Sequence, residues 1–436
     1  MPRNFSDTRA SVTAMLLTRR HLFGVLLPAY AAIAVPDYDA DELPKKKVPL
    51  FESLFPVPSG TNGFEEIIRA GERLEEVKAP HLSRPVFTLA KRRTYLADPA
   101  CRDALSLLRD GMEKPIRIPT PDPAAIDSPT PFAAVRVVAR LLSTEMHVCY
   151  ADGRDNDAFD IFARALVLTH AMRSINVIGG IVGGGMDASL MIPFLEQRDR
   201  WNLRDCARIE QLTRNWLEVP DPAVTALSWE REFALRGVAG YREKWNELAE
   251  QLEDYYATYE DEPDTPLSLR AEEYAEALRT DPAVRERVLG EMAGMINAHF
   301  DRAYALMRAP TGLMRLDLSP GVGANWHPIT RLLRPVMLLD AGMISQRAVQ
   351  DRLRLQLLCV HAAIRRYRWE YDRLPKTLSD LELPPRLVID PFTAKPLLYE
   401  PEATGTRYKL ASAGALVPGE DGKPDARERF SLTRDP

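Results

Sequence analysis

The sequence predicts a mainly α protein, a body of helical hairpins followed by a small α+β module. Three observations carry this. Apolar residues recur at steps of three and four, as in Val349, Leu353, Leu357, Val360, Ile364, Tyr367 and Tyr371. The 35 prolines among 436 residues cluster between helical stretches and act as punctuation. Short strand-like runs, Leu397 to Glu400 and Tyr408 to Ala411, appear near the C-terminal end. With 45% hydrophobic and 27% charged residues, the chain can bury two or three packed units.

The net charge of -5 supplies no broad basic field to hold nucleic acid. Outside the extreme N-terminus, composition offers nothing to attract an anionic membrane. Cys101, Cys149, Cys206 and Cys359 are widely spaced, without a CxxC. They are expected as small core side chains, although an oxidising compartment would permit one disulfide.

At the N-terminus, Leu22 to Val35 form an uncharged apolar run between Arg19-Arg20 and Pro36-Asp37. The run is short for a membrane span and suits a signal-peptide core. Ala29-Tyr30-Ala31 and Ala32-Ile33-Ala34 are candidate cleavage sites. Thr18-Arg19-Arg20-His21-Leu22-Phe23 resembles a twin-arginine export signal with its Phe-Leu pair reversed. Residues 1–35 are therefore expected to be a Sec or Tat signal, or an uncleaved membrane tether. Either places the bulk of the chain in the periplasm or cell envelope. Residues 36–61, Pro-rich and carrying Lys45-Lys46-Lys47, are expected as a linker.

The helical body is expected over residues 62–330. Asn62 or Gly63 caps its first helix. Asp98-Pro99 opens the next, since Asp98 can accept orphan amide protons and Pro99 suits the first helical position. A Pro-rich loop runs from Pro115 to Pro131. Residues 132–172 predict a helical hairpin, the first helix from about Phe132 to Tyr150. The second carries Gly153, Ala158, Phe162, Ala165 and Leu166. That spacing resembles half a tetratricopeptide (TPR-like) unit, although a generic helical hairpin fits it equally.

Ser174 to Leu195 is apolar and glycine-rich. A buried helix with close backbone contacts, a membrane span, and a nucleotide loop at Gly183-x-Gly185-x-x-Ala188 all fit its composition. A nucleotide loop should follow a strand, and a helical pattern runs into this one. Val238, Tyr241, Trp245, Leu248, Leu252, Tyr255 and Tyr259 predict one amphipathic helix of about six turns. Its aromatics Tyr241, Trp245, Tyr255 and Tyr259 form either core or a ligand or partner groove. Glu260-Asp261-Glu262-Pro263-Asp264 ends it, and helical patterns resume over residues 266–308.

The C-terminal module is expected over residues 345–436. A helix of about 40 Å, Ser345 to Tyr371, leads into Leu374-Pro375-Lys376-Thr377-Leu378, where Thr377 and Asp380 look like a capping pair. Asp390-Pro391-Phe392 makes a turn, a hairpin follows around Gly405, and Ser412-Ala413-Gly414 and Asp421-Gly422 come last. With Ala363-Ile364-Arg365-Arg366-Tyr367, this order resembles the globular head of a type II secretion pseudopilin, over about the last fifth of the chain. The whole chain resembles planctomycete-type bacterial envelope proteins, in which helical hairpins precede such a domain. True pseudopilins begin with the long hydrophobic helix, behind a Gly followed five residues later by Glu. Here Ala29 stands five residues after Gly24, and the head-like module sits at the other end. The family's acidic loop implies calcium candidates, Glu420, Asp421 and Asp425, crowded by Lys423, Arg427 and Arg429.

No Gly-x-Ser-x-Gly, His-Glu-x-x-His or Gly-Lys-Ser/Thr motif is present. His147-x-Cys149 and Cys359-x-His361 offer a zinc ligand set, but residues two apart on a helix do not face one ion. His327, in an irregular segment, is the histidine singled out for function. No cofactor is expected. These features predict an exported structural or interaction protein without catalysis. Its partners would be other envelope proteins or secretion components. A hydrolase-type site between body and module, or a small-ligand carrier using the aromatic stripe, are the alternatives.

Overall fold

In the computed structural model, several helix starts are set by short polar side chains that satisfy the first free amides. The structure describes residues 62–75, 88–118, 132–257, 271–308, 326–331, 341–402, 407–418 and 424–431. These residues are mainly helical, with a small antiparallel sheet at the C-terminal end.

Helix α1 (Phe64–Glu75) begins at Asn62, whose Oδ1 accepts from Phe64 N at 3.1 Å and Arg117 N at 3.0 Å. Helix α2 (Leu89–Ala97) runs up to Asp98, which caps α3 (Pro99–Met112) by accepting from Ala100 N at 2.9 Å. The expected hairpin is α4 (Phe132–Ala151) and α5 (Asp155–Arg173). Gly153 lies in the turn between them rather than in the second helix, at φ +71°, where a side chain would be strained. Ala158, Phe162 and Ala165 are fully buried.

Helix α6 (Val177–Glu196) is the glycine-rich segment. A Cβ on Gly179 would lie 2.4 Å from Met172 O, and one on Gly183 would lie 2.4 Å from Arg173 Cγ. These two glycines let α6 lie against α5. The segment entering α6 is helix α5, not a strand, which overturns the nucleotide-loop reading. By length and composition, Val177–Arg200 could cross a membrane, although 56% of its most apolar window is buried by the fold.

Asn202 and Asp205 form a reciprocal capping box at the start of α7 (Leu203–Glu218). Asp221 and Pro222 open α8 (Pro222–Gly240). The expected six-turn helix from Val238 to Tyr259 is then interrupted. A 3-10 turn, Tyr241–Glu243, separates α8 from α9 (Trp245–Ala257). Gly240 weakens the helix at that point, and Tyr241 turns inward, donating from Oη to Gln251 Oε1 at 3.1 Å. Helices α10 (Ala271–Thr280) and α11 (Pro282–Arg308) follow, and α12 (Ala341–Tyr371) is the long helix before the module.

The sheet has the order β1 (Leu398–Pro401), β2 (Tyr408–Pro418), β3 (Pro424–Ser431), with Leu398 opposite Ala411 and Ser412 opposite Phe430. The β1–β2 hairpin matches the expectation; Gly405 lies outside the described residues. Strand β3 replaces part of an expected loop. Its sequence, PDARERFS, alternates Pro424, Ala426 and Phe430 with Asp425, Arg427 and Arg429, but Glu428 breaks the apolar set, and its ladder with β2 defines it.

Two hydrophobic cores form. One joins α1–α7, the Val349–Ile364 part of α12 and the module. The other joins α8–α11 with Val177, Ile329 and the start of α12. Helix α12 therefore runs through both, with Ile344 and Ala348 in one and Leu353, Leu357, Val360 and Ile364 in the other. The module thus shares its core with α1–α7 through α12.

Candidate functional site

A cleft of about 120 Å³ opens where the α4–α5 turn meets the α6–α7 connection. Tyr150, Phe159, Phe194 and Trp201 line it, with Asp155, Asp205 and Arg200 also in its wall. The walls follow from local structure. Phe194 near the end of α6 stacks on Phe162 at 4.1 Å and meets Trp201 at 5.1 Å. Trp201 follows the 3-10 turn Arg198–Arg200, which swings its indole back over the core. Phe159 is covered on one side by the Arg208 guanidinium, 4.0 Å from its centroid, itself paired with Asp160 at 3.0 Å.

Electrostatically, burial and then the facing Asp205 charge raise the Asp155 carboxyl above its ordinary range; Arg200 opposes them. Burial, with Asp155 and Asp205 adding to it, also pushes the Tyr150 hydroxyl up. The cleft thus holds two mutually repelling carboxylates against aromatic faces, an arrangement that a cation would relieve.

Behind the cleft, α12 holds Trp201 in place. Trp369 Nε1 donates to Trp201 O at 3.1 Å, and Arg365 donates to Asp199 O at 2.8 Å. His361 packs edge-on against Trp201 at 5.6 Å. Burial pushes His361 down to about 3, and its neutral ring shares a 2.6 Å hydrogen bond between Nδ1 and Tyr408 Oη. A chain of contacts therefore joins the cleft to β2.

A second charged cluster lies between α5, α6, α8 and α12. Arg173 faces Asp187 at 3.3 Å, Asp351 at 3.6 Å and Asp221 at 4.0 Å. Arg347 and Arg354 also reach Asp351, at 3.4 and 2.9 Å. Burial raises Asp187 to about 6 and also raises Asp351. The adjoining cavity, about 20 Å³ beside His170 and Trp216, has room for about one water.

The sequence-predicted sites are dispersed. Tyr241 is buried and Trp245 half-buried in the second core, as are Leu248 and Leu252. The aromatic stripe is therefore interior packing rather than a groove there. Tyr255 lies on α9, its side chain outside the described residues, as is all of Tyr259. His327 caps a short helical turn: its backbone N–H donates to Glu291 Oε2 at 2.7 Å and its Nδ1 accepts from Ile329 N at 3.3 Å. Burial lowers its basicity. Arg19, Arg20, Glu420 and Asp421 lie outside the described residues, and Asp425 falls within β3.

The zinc set does not assemble. His147 meets Glu196 at 3.4 Å, whereas His361 meets Tyr408, and no metal-binding cluster occurs among the described residues. All four cysteines are buried and free. Sequence reasoning missed Tyr150, Asp155, Trp201 and Asp205. The available signals were the Tyr150-x-x-Gly153-x-Asp155 turn and a lone Trp201 after the charged run Arg198-Asp199-Arg200. No family model, curated protein or solved structure matches the chain.

Proposed function

We propose that this chain is an exported, envelope-associated interaction protein, a helical scaffold that takes a cationic group of a partner into the Trp201 cleft. The observation that carries this reading is the pairing of Asp155 and Asp205 with the aromatic walls Tyr150, Phe159 and Trp201. A lysine or arginine side chain would neutralise the carboxylates and stack on the rings. About 120 Å³ suits such a side-chain tip rather than a drug-sized ligand. The partners are other envelope proteins or secretion components.

In this reading α4–α5 is a tetratricopeptide-like unit, supported by Phe162 in the groove between helices. Helix α12 with the sheet is a pseudopilin-like docking module, supported by the Asp390 turn bound to Ser412. The test is titration of the full chain with N-acetyl-lysine amide or N-acetyl-arginine amide, following the Trp201 indole resonance, assigned through Trp201→Phe. Saturable shifts, lost in Asp155→Asn/Asp205→Asn and absent with N-acetyl-glutamine amide, are expected. Equal shifts in the double variant would overturn the reading.

A further inference from the structure

We infer that the outer face of α6 is a contact surface for an anionic lipid bilayer. This surface is separate from the Trp201 cleft and goes beyond partner capture. The solvent-facing arc of α6 carries Ile178, Ile181, Gly185, Ala188 and Ile192, spanning about 21 Å. The three isoleucines are 41%, 50% and 55% exposed. No charged side chain interrupts the arc, because Asp187 turns inward to Arg173. A Cβ on Gly185 would meet nothing within 4 Å, so packing within the fold does not demand that glycine.

Arginines flank this apolar arc. Ser143 Oγ donates to Ser189 O at 2.9 Å and His147 lies 3.4 Å from Glu196, so α4 runs parallel to α6 in fixed register. That register sets the exposed Arg140 and Arg136, one and two turns before Ser143, along one edge of the arc. Neither has an ion-pair partner among the described residues. On the other edge, the Arg347 guanidinium sits 3.4 Å from Gly184 O, its side chain 40% exposed. Glu196 closes the far end of the arc.

Apolar side chains between arginines match the acyl and headgroup layers of an anionic bilayer. A second copy using the same face would set arginine against arginine. The exposed isoleucine surface amounts to about one and a half free side chains. That is far below the roughly 800 Å² per side of a stable protein interface. The overall charge of -5 conceals this local patch.

The test uses the full chain with Ile181→Cys or Ile192→Cys carrying an NBD fluorophore. The four native cysteines are buried, so labelling is selective. Glu272→Cys, exposed on α10, which packs against α9 and α11, is the control. Vesicles are phosphatidylcholine alone or with 30% phosphatidylglycerol, each with and without a doxyl-lipid quencher. Blue-shifted, lipid-quenched emission from positions 181 and 192 on the anionic vesicles, with the control unquenched, is expected. Arg136→Glu/Arg140→Glu should lower that quenching several-fold. Probes that remain water-exposed on vesicle-bound protein would overturn the inference. So would quenching indifferent to the arginines, an absence of vesicle binding, or shielding that grows with protein concentration without lipid.

Discussion

Asp390 and Ser412 share a fully buried hydrogen bond: Ser412 Oγ donates to Asp390 Oδ2 at 3.0 Å. The same oxygen accepts from Ala413 N at 2.7 Å, and Asp390 Oδ1 accepts from Phe392 N at 2.9 Å. One carboxylate thus ties the turn after α12 to the middle of the sheet.

Asp390→Ala would leave these buried donors without their acceptor and should destabilise by about 3 kcal/mol. Ser412→Ala should cost about 1 kcal/mol. Urea midpoints, with hydrogen exchange in β2 as the local readout, check both.

The glycines of α6 should respond to alanine with opposite signs. At Gly183 the new methyl would collide with Arg173 Cγ and lie 2.9 Å from Thr169 O, destabilising by about 1–3 kcal/mol. At Gly185 it meets open space, and helix propensity should contribute about 0.5–1 kcal/mol of stability. Thermal midpoints of the two variants should straddle that of the parent.

Those glycines also mark how far the sequence could be read. Periodicity located α4, α5 and α12, and Asp98-Pro99 marked the start of α3, because caps and apolar stripes are local properties. Gly179 and Gly183 looked the same as Gly180 and Gly185, since only tertiary packing distinguishes them. Tyr241 continued a helical stripe, yet Gly240 and the second core bent the chain there. In strand β3, Glu428 and the surrounding charges masked the alternation of Pro424, Ala426 and Phe430. The cleft escaped notice because Tyr150 and Asp155 meet Trp201 and Asp205 only after α6 folds back.

Gln356 on α12 should be the stitch between helix and module. Its Nε2 donates to Leu387 O at 3.0 Å and to Ile389 O at 2.7 Å. Gln356→Leu keeps the volume but strands two carbonyls, and should destabilise by about 1–3 kcal/mol. Exchange should quicken first in residues 374–402, measured by peptide-resolved mass spectrometry.

Acid should destabilise the fold. Burial lowers His147 and His170 to about 4 and His361 to about 3, with nearby arginines adding to each. Unfolded histidine takes up its proton near about 6.5, so below that pH the unfolded chain holds more protons and stability falls. Asp187, raised to about 6 by burial, acts oppositely between about 4 and 6, and the raised Asp351 adds to it. Asp155 is raised as well, but His327 is lowered too, so four lowered histidines stand against three raised carboxyls. Stability should therefore drop from pH 7 to pH 5, less steeply in His361→Gln and more steeply in Asp187→Asn, as read by urea titrations across that range.

Native-state hydrogen exchange across α7 and α12 tests the shared core most directly. Amides of Ile209–Trp216 and Leu353–Ile364 should open together, with one free energy and one urea dependence. Opening of α12 together with residues 374–431 while α7 stays closed would contradict the account.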